Sequence, residues 1–201
     1  PTHCYDFNEV GNDMCFIDEI HNNIEFNTLL DKDINLTGLN SVFKSNEKVI
    51  NLAGVVGDKS TRCKDSTKTA LIECAFFNPE SIIGKAIKYD ITSDAAYKFE
   101  RGIDPNIQEY ALRRFIYLVS LHANIVDLKI YKKEFANFDP KVINCNFQEI
   151  SKIIGLEVNE QQFIEILKNL NFVVNDGQIL VPSYRHDIES KNDVAEEVAR
   201  C

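Results

Sequence analysis

The hydrophobic positions of this chain fall into short runs, and the spacing within each run predicts its form. Met14–Ile17 and Ile24–Phe26 have strand length, and Val49–Val56 is a buried strand broken by Gly54 and followed by Gly57. Two glycines three apart in such a run predict a bulge or a close backbone approach. Asp31–Asn46 is polar and turn-rich, and Thr69–Phe77 is a second strongly apolar run. Asn78-Pro79-Glu80 joins a capping side chain, a first-turn proline and an acidic first turn. It predicts a helix to about Lys88 with Ile82, Ile83, Ala86 and Ile87 inward. The longest helix is predicted from Pro105 to about Ala123, where Ile107, Tyr110, Ala111, Phe115, Leu118, Val119 and His122 form one stripe. Val126, Leu128 and Ile130 alternate with Asp127, Lys129 and Tyr131, as in a strand with one wet face.

The segment YKKEFANFDP (131–140) has the composition of a linker, and the remainder of the chain has an order of its own. A strand at Val142–Cys145 leads to a helix ending at Gly155, and a second helix is capped by Asn159 with Gln162 three residues on. A hairpin of Phe172–Val174 and Ile179–Val181 turns through Asn175-Asp176-Gly177. Strands and helices mixed without regular alternation predict an α+β fold. The expected arrangement is a mixed-sheet domain with packed helices over residues 1–133. A small winged-helix-like α/β domain over 134–201 comes after it.

Composition narrows the class. The chain has 201 residues, 44% hydrophobic and 26% charged, and a net charge of −9. That is ordinary for a soluble protein, and the acidity opposes backbone-wide binding to nucleic acid, so any RNA contact is local. No apolar run is long enough to span a membrane. The six cysteines are scattered, without zinc spacing, as reduced thiols in a cytoplasmic protein would be. The chain opens without Met, and its last helical pattern carries no stop signal, which is the pattern of an excerpt.

Three places carry candidate chemistry. Ser93–Pro105 (SDAAYKFERGIDP) sets Asp94, Lys98, Glu100, Arg101 and Asp104 around the apolar anchors Tyr97, Phe99 and Ile103. Gly102 suits a helix stop, and Asp104-Pro105 a new start. The stretch is equally a well-made connection with solvated ion pairs. Glu73 stands inside LIECAFF, facing the wet side of an alternating strand, buried with a partner, or poised to receive one. Asp193, Glu196 and Glu197 share one face of the last helix, with Asp187 entering from the loop before it. Four carboxylates without soft ligands suit Mg2+, or merely place an acidic first turn on the helix dipole. His3, in PTHCYDF, reads by itself as a histidine hydrogen-bonded at a core edge rather than as a site.

ITSDAAYKFERGIDP, PTHCYDF, NLAGVVGD (51–58), LIECAFFNP (71–79) and VPSYRHDIESKNDVAEEVAR (181–200) together resemble the bacterial phenylalanyl-tRNA synthetase β subunit family, from its editing domain onward. The resemblance implies hydrolysis of mischarged tyrosyl-tRNA(Phe). Catalytic roles would fall to His3 and Glu73, and substrate contacts to Gly57, Glu73, Ser93 and Ala95. Glu73 would accept the phenol hydrogen bond that phenylalanine cannot make, a discrimination of roughly ten-thousandfold in a site built that way. It also implies Mg2+ on Asp187, Asp193, Glu196 and Glu197 where the α subunit adjoins, an (αβ)2 heterotetramer, tRNA(Phe) as partner and a cytoplasmic location. ATP would be used by the whole enzyme alone, and no DNA or membrane partner is implied. Two positions depart from the family pattern: Ser93, where threonine is usual, and Asp58, where glycine is common. No Cys–His or Ser–His pair suggests a covalent nucleophile, so water is the expected attacker. The competing readings are a non-catalytic scaffold for subunits and tRNA, a nucleic-acid-reading tail, and a Mg2+-dependent hydrolase centred on Asp187 and Asp193.

Overall fold

The computed structural model describes residues 1–201. They divide into two compact units, Pro1–Ile103 with Gln108–Asn124, and Asp104–Ile107 with Ile125–Cys201. In the first unit β1 (His3–Asp6) runs into one helical turn, α1 (Phe7–Val10), capped by the Asp6 carboxylate. β2 (Met14–Asn27) and β3 (Asp33–Ser45) form a long hairpin. β4 (Lys48–Leu52) and β5 (Val56–Gly57) extend it to a four-stranded sheet in the order β2-β3-β4-β5. A 3-10 turn at Lys59–Thr61 precedes β6 (Ala70–Glu73), which pairs with β1 as a separate two-stranded ribbon. Then come α2 (Pro79–Ile82), α3 (Lys85–Lys88), α4 (Asp94–Glu100) and α5 (Gln108–Ser120).

The α+β class stands, but the expected mixed sheet does not, since every strand pair is antiparallel. The sheet's strands succeed one another through turns too short for a parallel crossover. Asn46 and Glu47, both at positive φ, make the two-residue turn from β3 to β4. The stretch predicted to be turns, 31–46, is mostly strand. Ile34, Leu36, Asn40 and Val42 are buried at every second position, and Gly38 and Asn40 in that series hide the period from a hydrophobicity reading. Phe77 ties the sheet to α4, with ring centroids 6.1 Å from Phe43 and 5.0 Å from Phe99. Such aromatic pairs add about 0.5–1.5 kcal/mol each beyond their burial.

Several helical expectations change. The helix predicted to Lys88 is two turns broken at Gly84, and Ile83 and Ile87 face solvent. Gly102 does stop α4 at positive φ, and Phe99 is buried, whereas Tyr97 is exposed under the Arg101 guanidinium, 3.5 Å from the ring centroid. The Asp104 carboxylate accepts the Asn106 N–H at 2.9 Å, yet α5 starts only at Gln108. None of its residues is buried. Residues 125–141 carry no helix or strand, so the strand expected at Val126–Ile130 is absent.

In the second unit β7 (Val142–Asn144), α6 (Phe147–Ile154), α7 (Glu160–Asn169), β8 (Val173–Asn175), β9 (Gln178–Leu180) and α8 (Lys191–Ala199) surround a core of Ile150, Phe163, Leu167, Phe172, Ile179 and Val194. The sheet is antiparallel in the order β7-β9-β8. The hairpin turns at Asp176 and Gly177, both at positive φ, and α6 ends at left-handed Gly155. Asn159 caps α7 without the reciprocal bond from Gln162. Full capping boxes form instead at α6 (Asn146, Glu149) and α8 (Ser190, Asp193).

Candidate active site

The β1–β6 ribbon gathers the candidate chemistry by register alone. His3 lies directly opposite Glu73, and Tyr5, two residues along β1, projects from the same face as His3. Tyr5 and Glu73 are therefore diagonal neighbours, and the Tyr5 hydroxyl donates to Glu73 Oε2 at 2.8 Å. The His3 and Tyr5 rings meet edge to face, with centroids 4.4 Å apart. Glu73 thus belongs to the alternative in which it is turned inward on a partner.

β4 and β5 supply the facing wall. Asn51 and Gly57 are paired across these strands, so one register position presents an amide and a missing side chain together. Asn51 Nδ2 donates to the Tyr5 hydroxyl at 2.7 Å. A Cβ on Gly57 would lie 2.6 Å from His3 Nε2 and nearer still to Cε1, so the imidazole packs directly on the glycine. This is the close approach that the spacing of Gly54 and Gly57 predicts. Gly54 makes the other, against Ile82 and Phe77.

Ser93 and Ala95 come from the start of α4. The Ser93 hydroxyl donates to the Val55 carbonyl at 2.6 Å and accepts the Ala96 N–H at 3.1 Å, so it anchors α4 beside β5 and is largely committed. Ala95 packs against the same core. His3, Gly57 and Glu73 are brought together, whereas Ser93 meets the loop entering β5 through backbone. Asp58 is buried, accepts the Ser60 N–H at 2.8 Å and pairs with Lys48 at 3.2 Å, so its charge is neutralised locally. Sequence does not single out Tyr5 and Asn51. Period two from His3 marks the first, and an amide inside the apolar run NLAGVV marks the second.

The site has no cation of its own beside the carboxyl. Burial pushes Glu73 up to about 7, against the Tyr5 hydrogen bond, which pulls it down. Burial lowers His3 from its ordinary value, and its buried Nε2 has no hydrogen-bond partner. Tyr5 is pushed far above its usual range by burial and by the neighbouring carboxylate. A polar hollow of about 670 Å³ elsewhere in this unit holds Lys48, Lys59 and Lys64, each already ion-paired with Asp58, Asp31 and Glu9 respectively. It offers no unpaired charge at those three lysines.

The four carboxylates of the second unit are not brought to one point. Arg185 binds Asp187 through Nε at 2.9 Å and its second terminal nitrogen at 2.7 Å, and reaches Glu197 at 2.9 Å. Arg200 adds a contact to Glu197 and one to Glu196 at 3.6 Å. One Asp193 oxygen is taken up by the Glu189 and Ser190 N–H groups and the Ser190 hydroxyl. No three acidic, His or Cys side chains converge as metal ligands anywhere in the chain. As arranged here these donors do not fit a Mg2+ ion, because a guanidinium already lies between two of them.

A family model of the B3/4 domain matches residues 1–124. The chain belongs to the B3/4 domain family. A second model, the tRNA synthetase B5 domain, matches residues 143–201. The phenylalanine–tRNA ligase β subunits of Francisella tularensis and Thermotoga maritima are 31% and 30% identical over the whole of this chain and 26% of theirs. That of Idiomarina loihiensis is 34% identical over 86% of this chain and 23% of its own. The chain thus spans about a quarter of the length of these relatives. An N-terminal fragment of the Pyrococcus horikoshii phenylalanyl-tRNA synthetase β subunit aligns over 98% of this chain and 58% of that one. Its identity is 15% and its TM-score 0.49, too slight a likeness to build on. The Tyr5–Glu73 ribbon lies within the B3/4 match, and the Arg185 cluster within the B5 match. No helix is long and apolar enough to cross a membrane.

Proposed function

We propose that the B3/4 unit is an editing site that hydrolyses the ester of tyrosine wrongly attached to tRNA(Phe), as part of a cytoplasmic phenylalanine–tRNA ligase. One observation carries the reading: a carboxyl raised by burial, Glu73, held opposite a histidine that burial lowers, with no Lys or Arg paired to it. A phenolic hydroxyl entering this site gains a charge-assisted hydrogen bond, while a bare phenyl ring leaves the carboxylate desolvated and unpaired. Gly57, by lacking a side chain, lets the His3 ring lie directly on the backbone of β5. In this reading His3 Nε2, buried without a hydrogen-bond partner, is the group that would accept a hydrogen bond from the attacking water. Water adds to the ester carbonyl, the bond to the ribose oxygen breaks, and the ribose recovers a hydroxyl as free tyrosine departs. Positioning, rather than a covalent intermediate, supplies the rate.

In this reading the synthetic site and its ATP belong to the partner α subunit of the (αβ)2 heterotetramer, and the second unit is the winged-helix-like B5 module. A scaffold role alongside editing has its own support in the exposed Tyr110, Tyr117, Leu118 and Leu121 of α5 and the segment after it, an apolar surface suited to a protein neighbour. The decisive experiment is Glu73→Ala in the intact synthetase, with deacylation of tyrosyl- and phenylalanyl-tRNA(Phe) compared. Preference for the tyrosyl ester should collapse by at least a hundredfold. Undiminished preference would remove Glu73 as the reader and the proposal with it.

A further inference from the structure

We infer that Tyr5, held by Asn51, is a specificity-determining positioning residue: it engages one oxygen of Glu73 and thereby reserves the other for a phenolic substrate. The inference rests on the editing reading and adds to it two residues which that reading does not need.

The direction of the hydrogen bonds is fixed by the groups that make them. An amide nitrogen only donates, so the Asn51 Nδ2–H at 2.7 Å makes the Tyr5 oxygen an acceptor. The single Tyr5 proton then goes to Glu73 Oε2, 2.8 Å away. Turning the Asn51 amide over would set two acceptors against that one proton. Oε2 is therefore an acceptor in either state of the carboxyl, and any proton on Glu73 resides at Oε1. No group of the protein bonds Oε1, so it is the atom a ligand meets.

The protein thus shows Glu73 the same functional group that a mischarged tyrosine would show it. A carboxylate has two equivalent oxygens, and a phenol on one leaves the geometry for a second phenol on the other. With Oε2 tethered, the carboxyl plane cannot turn to offer a substrate its occupied edge. A phenylalanyl ester leaves Oε1 without a partner, and the tether stops the carboxyl from swinging away to escape that penalty.

The arrangement has a pH signature. The titratable groups around Glu73 are His3, Tyr5 and Cys4 from β1 and the adjoining Cys74. Burial lowers His3 from its ordinary value and lifts the Cys4 thiol to about 11, whereas Glu73 is pushed up to about 7. The Tyr5 bond favours the ionised form, and removing it moves the midpoint to higher pH.

The test is Tyr5→Phe in the intact synthetase, alongside Asn51→Leu and Glu73→Ala, with deacylation of tyrosyl- and phenylalanyl-tRNA(Phe) followed from pH 5.5 to 9. For the tyrosyl ester, kcat/KM in the parent rises through about pH 7, the value to which Glu73 is pushed. In Tyr5→Phe the midpoint should move upward, and the tyrosyl-over-phenylalanyl preference at pH 7 should fall by about tenfold. Asn51→Leu should shift both the same way but less. If Glu73→Ala abolishes the preference while Tyr5→Phe changes neither preference nor midpoint, the Tyr5 assignment is overturned and editing by Glu73 stands. If Glu73→Ala itself keeps the preference, the editing reading falls first. A Tyr5→Phe protein that only melts earlier, with its pH profile unmoved, assigns Tyr5 to packing and overturns the inference.

Discussion

Glu73 and Glu197 are the same kind of side chain in the two units, the first half-buried and the second buried, and they are held in opposite conditions. Glu197 meets Arg185 and Arg200, and these guanidiniums, Arg185 foremost, pull its carboxyl below the usual range. Asp187, on the same Arg185, is lowered likewise. Glu73 meets a phenol and an imidazole, and burial lifts it to about 7. A buried carboxylate with a guanidinium is a finished structural element. One with no Lys or Arg paired to it keeps capacity for a ligand, and that capacity costs the fold stability. The difference separates a site from a clasp more surely than the number of acidic residues, which is greater in the clasp.

The contrast is broken most forcefully at Gly57. Gly57→Ala adds a methyl where the His3 ring and the Leu29 side chain already stand. The backbone is ordinary there, so the cost falls on the imidazole, which must move. Tyrosyl-tRNA(Phe) deacylation should drop about a hundredfold, the scale of a displacement near 1 Å in a positioned site. The free energy of unfolding should fall by about 1–3 kcal/mol through overpacking. Near-parent activity would mean that His3 can sit elsewhere without loss, and that its contact with Gly57 is packing alone.

Opposite pH slopes sharpen the same comparison. Glu73 is raised from 4.5 to about 7, so the folded first unit binds its proton more tightly than the unfolded chain does. Its stability should therefore fall as pH climbs from 4.5 to about 7, by about 3 kcal/mol in full. Asp187 and Glu197 are lowered, so their contribution is present above their unfolded values of 3.8 and 4.5 and is lost as pH drops through the folded ones. Hydrogen-exchange protection, corrected for intrinsic pH dependence, should weaken in β6 toward pH 8 and in α8 toward pH 3. Glu73→Gln should restore protection to β6 at pH 8 while removing the tyrosyl preference. Slopes of the same sign in both units would refute the assignment of opposite states.

The same physics decides how much of this is legible in the sequence. A carboxylate in LIECAFF and a histidine in PTHCYDF are conspicuous because charge and imidazole are rare in apolar runs, and the register puts them face to face. Tyr5 reads as an apolar neighbour, since a phenol declares its polar end only when a partner is in reach. That partner lies 68 residues away. Asn51 is hidden in a run that reads as core. The hairpin of β2 and β3 is obscured because the polar Asn40 occupies a buried slot, exposed Gly38 interrupts the series, and outward residues such as Ile20 and Leu39 are themselves apolar. The α5 stripe is legible, but nothing in its own unit buries it. The acidic face of α8 is legible as well. The role of Arg185 is not, because only the folded loop lets one side chain in SYRH reach two carboxylates at once.

The smallest effect expected is an absence of change, and it bears directly on that clasp. Arg185→Gln withdraws the shared cation and leaves the largely buried Glu197 with Arg200 alone, so α8 should lose about 1–3 kcal/mol. Chelation of the parent chain should change its melting by nothing measurable, because Arg185 already supplies the positive charge that a divalent ion would bring. In Arg185→Gln the freed Asp187 and Glu197 regain open oxygens, and millimolar Mg2+ should then recover part of the lost stability. If chelator lowers the Tm of the parent and Mg2+ restores it, the carboxylates hold a cation that displaces the guanidinium. The two units would then differ in the kind of charge bound rather than in whether a charge is bound at all.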